Sequence, residues 1–287
     1  MQNERRFTVV GLGELLWDLL PDGKQLGGAP ANFAYHAWKL GAEAFIVSAV
    51  GRDDLGREAF KRLGELGLSR SFVGIDVDHP TGVADVQLDD GGRPSFNIHK
   101  DAAWDFIEPS QELLDAAPSV HAVCFGTLAQ RSEENRETFM HFLSQTSENC
   151  LWAVDLNLRK PFYDEDVIRT TLETAHVLKL DDAELAEVAD AVGIQGAEDD
   201  VLKGLLDNFD IRVIALTKNS SGSIIVSRDA VSKHPGISVD VKDTVGAGDA
   251  FTAALVLGLL EGLELDAVNE RANRLASYVC TQPGAMP

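Results

Sequence analysis

Basic residues are scarce in this chain. Lysine and arginine number 25 against 46 aspartates and glutamates, a formal net charge of -21 over 287 residues, and no run of cations offers a footprint for phosphate backbones. Nucleic acids and anionic membrane surfaces are therefore excluded as principal partners. Long hydrophobic runs are missing too. The most apolar stretch, around Ala253 to Leu260, is far below the ~20 residues that a bilayer span requires. The amino-terminal "FTVVGLGELLWDLL" is interrupted by Glu14 and Asp18 and meets no small-residue cleavage site, so it reads as a first core strand rather than an export signal. Cysteine is rare: Cys124, Cys150 and Cys280 are widely spaced and fit neither a metal site nor a disulfide framework. Reduced thiols without a leader predict a cytoplasmic protein. No linker, internal repeat or low-complexity segment divides the chain, so one domain over 1–287 is expected.

What is present is a hydrophobic content of 45%, enough to fill a sizeable core. Short β-rich runs alternate with helical patterns. "FTVVGLG" precedes a helix from Pro30 to Leu40, and "AFIVSAVG" one from Asp54 to Leu66. "SVHAVCFG" precedes a helix from about Glu133 to Gln145, "LWAVDLNLR" one from about Glu165 to Thr174, and "HVLKL" one from Asp182 to Ala191. "RVIALT", the hairpin "GSIIVSRDAVSKH" and two final helices follow. This rhythm predicts an α/β fold with a mostly parallel central sheet covered by helices on both faces. Two segments break it, roughly 14–27 and 81–105, and both read as pieces of a small antiparallel β lid over the main sheet. The exposed edge of such a lid would suit pairing with a second subunit, so a homodimer through the lid is expected.

"DTVGAGDAF", residues 243–251, stands ahead of "TAALVLGLL", which carries no charge on any face and so predicts a helix surrounded by protein. The first turn of a buried helix presents unpaired N–H groups and about half a positive charge, which call for an anion or a cap. Thr244 could be the N-cap, and Asp249 could simply complement the dipole. Gly246 and Gly248, however, clear space for close approach to the amides, which capping does not need and phosphate binding does. With a phosphoryl group on those amides, Asp249 is placed to take a proton from an attacking alcohol. The other phosphate motifs fail: no GxxxxGK[ST] occurs, and "GLGELL" lacks the third glycine of a dinucleotide fingerprint.

"DTVGAGDAF" resembles the signature of the ribokinase-like (pfkB) carbohydrate kinases. The resemblance extends along the chain through "GELLWD", "LGGAPANFA", "VGRDDLG", "FNIHKDAAWD", "DLNLR" and "GAMP", and is greatest to bacterial fructokinases. It implies a ribokinase-like fold and an ATP-dependent phosphorylation of a primary hydroxyl, most simply fructose to fructose 6-phosphate. Asp249 would be the base, and Gly246, Ala247 and Gly248 the anion hole. The rivals are a 2-keto-3-deoxygluconate kinase or another ketose or pentose kinase, and a sugar-binding regulator without catalysis.

For the sugar, Asp18 is either an exposed turn residue or a carboxylate that accepts hydrogen bonds from two neighbouring hydroxyls, and Asn32 can donate and accept at once. Gly27 and Gly28 make a tight turn into the helix beginning near Pro30, and in the family that pair approaches the substrate. Phe96 and Trp104 flank the lid. Phe96 is expected to touch the sugar, whereas Lys100 reads as a solvated charge. Arg159 closes "DLNLR" at a strand's carboxyl end, where it either pairs with a surface acid or holds an anionic phosphate. Asp155 and Asn157 orient that loop.

ATP brings about four negative charges toward an acidic chain, so magnesium is expected. The resemblance implies an Asn-x-x-Glu element that orders Mg2+ and its waters. Here it is Asp181 in place of asparagine, with Glu184 retained, and the same residues would also make an ordinary acidic helix start. "TKNSSG" is similar to the family's nucleotide loop, with Thr217, Lys218, Ser221 and Gly222 at the nucleotide. Asn219 replaces a glycine there, and asparagine tolerates a left-handed backbone. Asn273 would line the adenine pocket. Asp243 with the backbone of Val245 would form a monovalent-cation site for K+.

Overall fold

The computed structural model describes residues 7–20, 23–88 and 94–287, the side chains of 86–88 and 94–96 excepted. Its main sheet has nine strands. β1 (Thr8–Leu12) lies between β4 (Glu43–Gly51), followed outward by β5 (Val73–Asp76), and β8 (Ala122–Phe125), followed by β9 (Leu151–Asp155), β10 (Val177–Asp181) and β11 (Val213–Thr217). All of these pair in parallel; β12 (Ser223–Ser227) and β13 (Val231–His234) close one edge as the antiparallel hairpin read from the sequence. Because the chain leaves β1 for β4 on one side and returns at β8 on the other, the carboxyl end of β1 is the switch point where open α/β sheets hold ligands.

The strands are apolar on both faces because helices cover both. Val10, Leu12, Val123, Phe125, Leu178 and Leu180 pack into one core, with Phe139 and Phe142 of α4 (Glu133–Gln145), Ile168 and Leu172 of α5 (Glu165–Thr174), Leu185 and Val188 of α6 (Asp182–Val192), and Leu202 and Leu205 of α7 (Glu198–Asn208). The alternate residues Val9, Ala122, Cys124 and Val177 face a second core, shared with α1 (Ala29–Lys39), α2 (Asp54–Glu65), α8 (Ala247–Leu260) and α9 (Leu265–Cys280). The alternation is the period-two pleat. Helix starts are fixed by side-chain caps: Asp53, Ser132, Asp164 and Asp181 accept from the N–H groups of Gly56, Asn135, Val167 and Glu184. Residues Ala250 to Gly258 of α8 are all buried, and the helix packs between α1 and α9, as its uncharged sequence predicts.

The second sheet is the lid. β2 (Leu16–Leu20) pairs antiparallel with β3 (Gly23–Gly27), and β6 (Gly82–Leu88) antiparallel with β7 (Pro94–Ile98), so both predicted hairpin pieces form. They join through β2 and β6, which run parallel. Trp104 is fully buried beneath β6, where a Cβ on Gly82 would stand 2.2 Å from the indole nitrogen. Among the described residues no helix is long and apolar enough to cross a membrane. Cys124, Cys150 and Cys280 are free.

Candidate active site

A cavity of about 310 Å³ opens between the lid and the carboxyl ends of the central strands. The lid contributes Leu16, Asp18, Ala84 and Ile98 to its wall, and the core contributes Glu14, Gly28, Asn32, Arg159, Asp181 and Glu184. The tip of α8 adds Gly246, Gly248 and Asp249. Residues spread over most of the chain thus converge where β1 ends.

The α8 tip differs in one respect from the sequence expectation. Thr244 is not its N-cap; that position is Gly246, in a left-handed conformation with φ 79°, and no side chain caps it. The Thr244 carbonyl instead accepts a turn bond from Ala247 N–H at 3.3 Å, and the first i to i-4 bond of the helix runs from Ala250 N–H to Gly246 at 2.9 Å. The amides of Gly248 and Asp249 therefore fall in the turn that α-helical geometry leaves unbonded. Gly246 is glycine for two reasons: its φ lies in the left-handed region, and a Cβ there would meet Ala285 Cβ at 2.6 Å. The "GAMP" segment holds this tip from behind. Asp243 accepts from Val245 N–H at 3.0 Å and, through its other oxygen, from Gly284 N–H at 2.9 Å, while His36 Nε2 lies 2.9 Å from the Ala285 carbonyl. Burial holds His36 down at about 4.

Asp249 is half-buried, and its Oδ2 accepts from Asn32 Nδ2 at 2.7 Å. Burial, reinforced by the Asp155 carboxylate, pushes it up to about 6; Asn32, Lys179 and Arg159 act against the shift. Asp18, on the lid strand opposite, is likewise raised to about 6 by burial, with Arg159 opposing. A Cβ on Gly27 would fall 2.6 Å from Asp18 Oδ2, so the first glycine of the pair makes room for this carboxylate. Gly28, at φ 111°, turns the chain into α1 where a Cβ would strike the Glu14 carbonyl at 2.3 Å. Arg159 lies close enough to act on Asp18, Glu14 and Asp249 together. The backbone of Phe96 belongs to β7, while its side chain lies outside the described residues.

Two charged residues that the motifs did not single out prove central. Lys179 is buried on β10, its Nζ 2.9 Å from Asp155 Oδ1, and Thr252 of α8 donates to Asp155 Oδ2 at 2.7 Å. Burial alone would lower the lysine, but the carboxylates of Asp155 and Glu184 outweigh it and hold Lys179 above the usual range. Its Nζ would stand only 3.1 Å from a Cβ on Gly248, directly against the glycine tip. Glu14 is the other. The sequence signal for both is a charge inside an apolar strand run, "HVLKL" and "GLGELL", where no charge should lie without a task.

Toward the nucleotide end, Asp181 and Glu184 form a reciprocal capping box at the start of α6. Asp181 accepts from Glu184 N–H at 2.8 Å, and Glu184 Oε2 from Asp181 N–H at 2.9 Å. Glu184 Oε1 also accepts from Leu158 N–H at 2.8 Å. Both glutamate oxygens are thus committed to backbone donors, and among the described residues no group of three or more acids, histidines or cysteines could hold a metal ion. The pair suits contact with hydrated Mg2+ carried by phosphates, not a protein cage. Thr217 ends β11 beside Asp181 in register. In the loop that follows, Asn219 adopts φ 49°, the left-handed turn expected of it, and Gly222 packs where a Cβ would meet the His234 carbonyl at 2.0 Å. Ser221 N–H closes the turn onto Lys218. Two residues point elsewhere than expected. The Lys218 ammonium is paired with Glu198 at 2.6 Å, and Asn273 spends its amide inside the protein on Ser223 Oγ at 2.7 Å and Asn269 at 2.8 Å, bracing α9 against β12 rather than facing an adenine pocket.

Known proteins resemble the chain along nearly its whole length. An uncharacterized sugar kinase of Pyrococcus horikoshii is 30% identical, the alignment covering 96% of this chain and 91% of that protein. Its crystal structure in complex with ATP superposes with a TM-score of 0.83 over 98% of this chain and 94% of the other. The fructokinase of Escherichia coli is 28% identical across 96% of this chain and 94% of its own length. A fructokinase of Vibrio cholerae, solved with fructose, ADP and calcium, has a TM-score of 0.84 over 99% of this chain and 96% of that one at 24% identity, and shares the ribokinase-like fold. The model of the pfkB family carbohydrate kinases matches residues 22–287, nearly the whole chain, which belongs to that family.

Proposed function

We propose that this protein transfers the γ-phosphoryl group of ATP to a primary hydroxyl of a ketohexose, giving fructose 6-phosphate from fructose. The observation that carries the reading is the placement of Asp249: in the first turn of α8, on the wall of the lid cavity and held by Asn32 at 2.7 Å. The Escherichia coli and Vibrio cholerae relatives named fructokinase, and the ATP complex of the Pyrococcus relative, support the choice of substrates.

In this reading the sugar lies between lid and core. Asp18 accepts from its hydroxyls, and Asn32 and the Gly27-Gly28 turn position it against Asp249. Asp249 removes the hydroxyl proton as the oxygen attacks phosphorus in line. The amides of Gly248 and Asp249, which the helix leaves unbonded, stabilise charge growing on the phosphoryl oxygens, with Arg159 also on the cavity wall. Magnesium, when bound with ATP, offsets phosphate charge. Asp181 and Glu184 would hold its waters, and Thr217, Ser221 and Gly222 shape the nucleotide loop. Asp243 and Val245 brace the α8 tip, and K+ beside them would do so more firmly. Lid strands over the cavity exclude water, which limits hydrolysis of ATP.

A coupled ADP-release assay across a panel of sugars tests the assignment. Turnover on fructose supports it. Turnover confined to 2-keto-3-deoxygluconate or a pentose replaces the substrate, and sugar binding with no ADP release from any of them removes catalysis.

A further inference from the structure

Two buried oxygens in the corner of the cavity lack a hydrogen-bond donor. Glu14, 3% exposed, accepts from Ala29 N–H through Oε1 at 3.2 Å, while its Oε2 has no partner. Asn32, 4% exposed, commits Nδ2 to Asp249, which leaves its buried Oδ1 without a donor. The bond to the Ala29 N–H places the Glu14 carboxyl at the first turn of α1, the turn that carries Asn32, and both residues line the same cavity. Buried acceptors without donors are costly and rare. A single proton repairs both, because a neutral carboxyl carries an O–H donor where an ionised one has only acceptors.

We propose that Glu14 is a positioning residue for phosphoryl transfer: it carries a proton on Oε2, donates it in a hydrogen bond to Asn32 Oδ1, and thereby fixes the Asn32 amide with Nδ2 on the base Asp249. The inference rests on the reading of Asp249 as that base. Without the Glu14 donor, the amide can turn over and present Oδ1 to a carboxylate, two acceptors face to face, and the base loses its alignment.

The surroundings favour the neutral form. Burial drives Glu14 up to about 7; its own backbone N–H, the Ala29 N–H and the Arg159 guanidinium oppose this, and the Asp249 charge on α8 adds to it. Asp18 on the lid and Lys179 on β10 face the same cavity, and Cys124 of β8, whose thiol burial raises, stays neutral beside it. With Glu14 neutral, one carboxylate rather than two stands in this corner, and it is the one whose ionisation the chemistry needs.

The test combines infrared spectroscopy of the ligand-free protein with the kinetics of Glu14→Gln and Glu14→Ala. Below about pH 6 the wild type should show a buried neutral-carboxyl band that E14Q lacks, and the band should persist in Asp249→Asn, where Glu14 keeps its site. E14A should lower kcat by roughly tenfold or more, toward the ~10² that misplacing a reacting group costs, and E14Q, whose amide can donate to Asn32, should restore most of that loss. The wild-type kcat/KM should also fall on the alkaline side of about pH 7 as Glu14 loses its proton, and E14Q should lack that limb. No Glu14 band in either the wild type or Asp249→Asn, an E14A as fast as wild type, or an E14Q as slow as E14A would overturn the proposal. The spectroscopic arm needs no turnover, so a failure to phosphorylate any sugar would count against the kinase reading and leave the proton on Glu14 to be judged separately.

Discussion

Asn32 donates to Asp249 across 2.7 Å, and this one bond ties the first turn of α1 to the first turn of α8, 217 positions further along the chain. Both helices begin at the cavity, one behind the lid turn and the other at the glycine tip. In the proposed function, the amide that positions the sugar and the carboxylate that takes its proton are thereby a single unit.

Replacement of that base is the first expectation. Asp249→Asn should leave sugar affinity nearly intact, as read by calorimetric titration, and lower kcat by the ~10²–10⁴ of a lost general base. The wild-type rate should also fall as pH drops through about 6, because burial and the Asp155 charge raise Asp249 to that value and its protonated form cannot accept the hydroxyl proton. A pH profile of kcat/KM that stays flat down to about pH 5 would remove Asp249 from the mechanism.

The lid carboxylate should act on binding. Asp18→Asn keeps the shape and loses a charged acceptor, worth about 1.5–3 kcal/mol per hydrogen bond, so the KM for sugar should rise roughly 10- to 150-fold with a smaller change in kcat. Steady-state kinetics with sugar varied at saturating ATP separates the two parameters. An effect on kcat alone would place Asp18 away from the sugar.

The Lys179–Asp155 pair joins β10 to β9 and, through Thr252, to α8. Lys179→Met leaves Asp155 buried without its cation and should cost about 3–5 kcal/mol in urea unfolding, while Lys179→Met combined with Asp155→Leu should recover much of that. Equal stability of wild type and K179M would mean the pair is reached by water.

Gly246→Ala forces an L side chain into the left-handed region, about 1–2 kcal/mol by itself, and drives its methyl into Ala285. Thermal unfolding should register the loss, and kcat should fall further than stability alone explains because the α8 amides move with Gly246. An alanine variant with normal kcat would show that those amides are not needed in place.

Much of this architecture was readable from hydrophobic spacing and caps. The helices at Glu133–Gln145 and Glu165–Thr174 begin one residue after Ser132 and Asp164, which accept from the first turn as caps should, and the uncharged sequence of α8 announced its burial. Helix α1 begins at Ala29, one residue before Pro30, because Gly28 supplies its N-cap. Three elements were not readable: β5, a four-residue edge strand; α3 (Gln111–Ala116), with only Leu113 buried; and α7, whose apolar stripe of Val201, Leu202, Leu205 and Leu206 spans little more than one turn. At the site, the glycine-acid motif and Asp18 could be found because their chemistry is local. Lys179 and Glu14 could not be given partners, since Asp155 meets Lys179 only through the order of β9 and β10, and Glu14 meets the Ala29 N–H only once β1, the lid turn and α1 are in place. The amide commitments of Asn273 likewise depend on α9 lying over β12.

The packing of Ala285 against Gly246 makes the segment after α9 part of the scaffold of the site. Gly284 and Ala285 dock against Asp243, His36 and Gly246. Enlarging the Ala285 side chain would press on Gly246 and so reach the cavity wall from a position outside it.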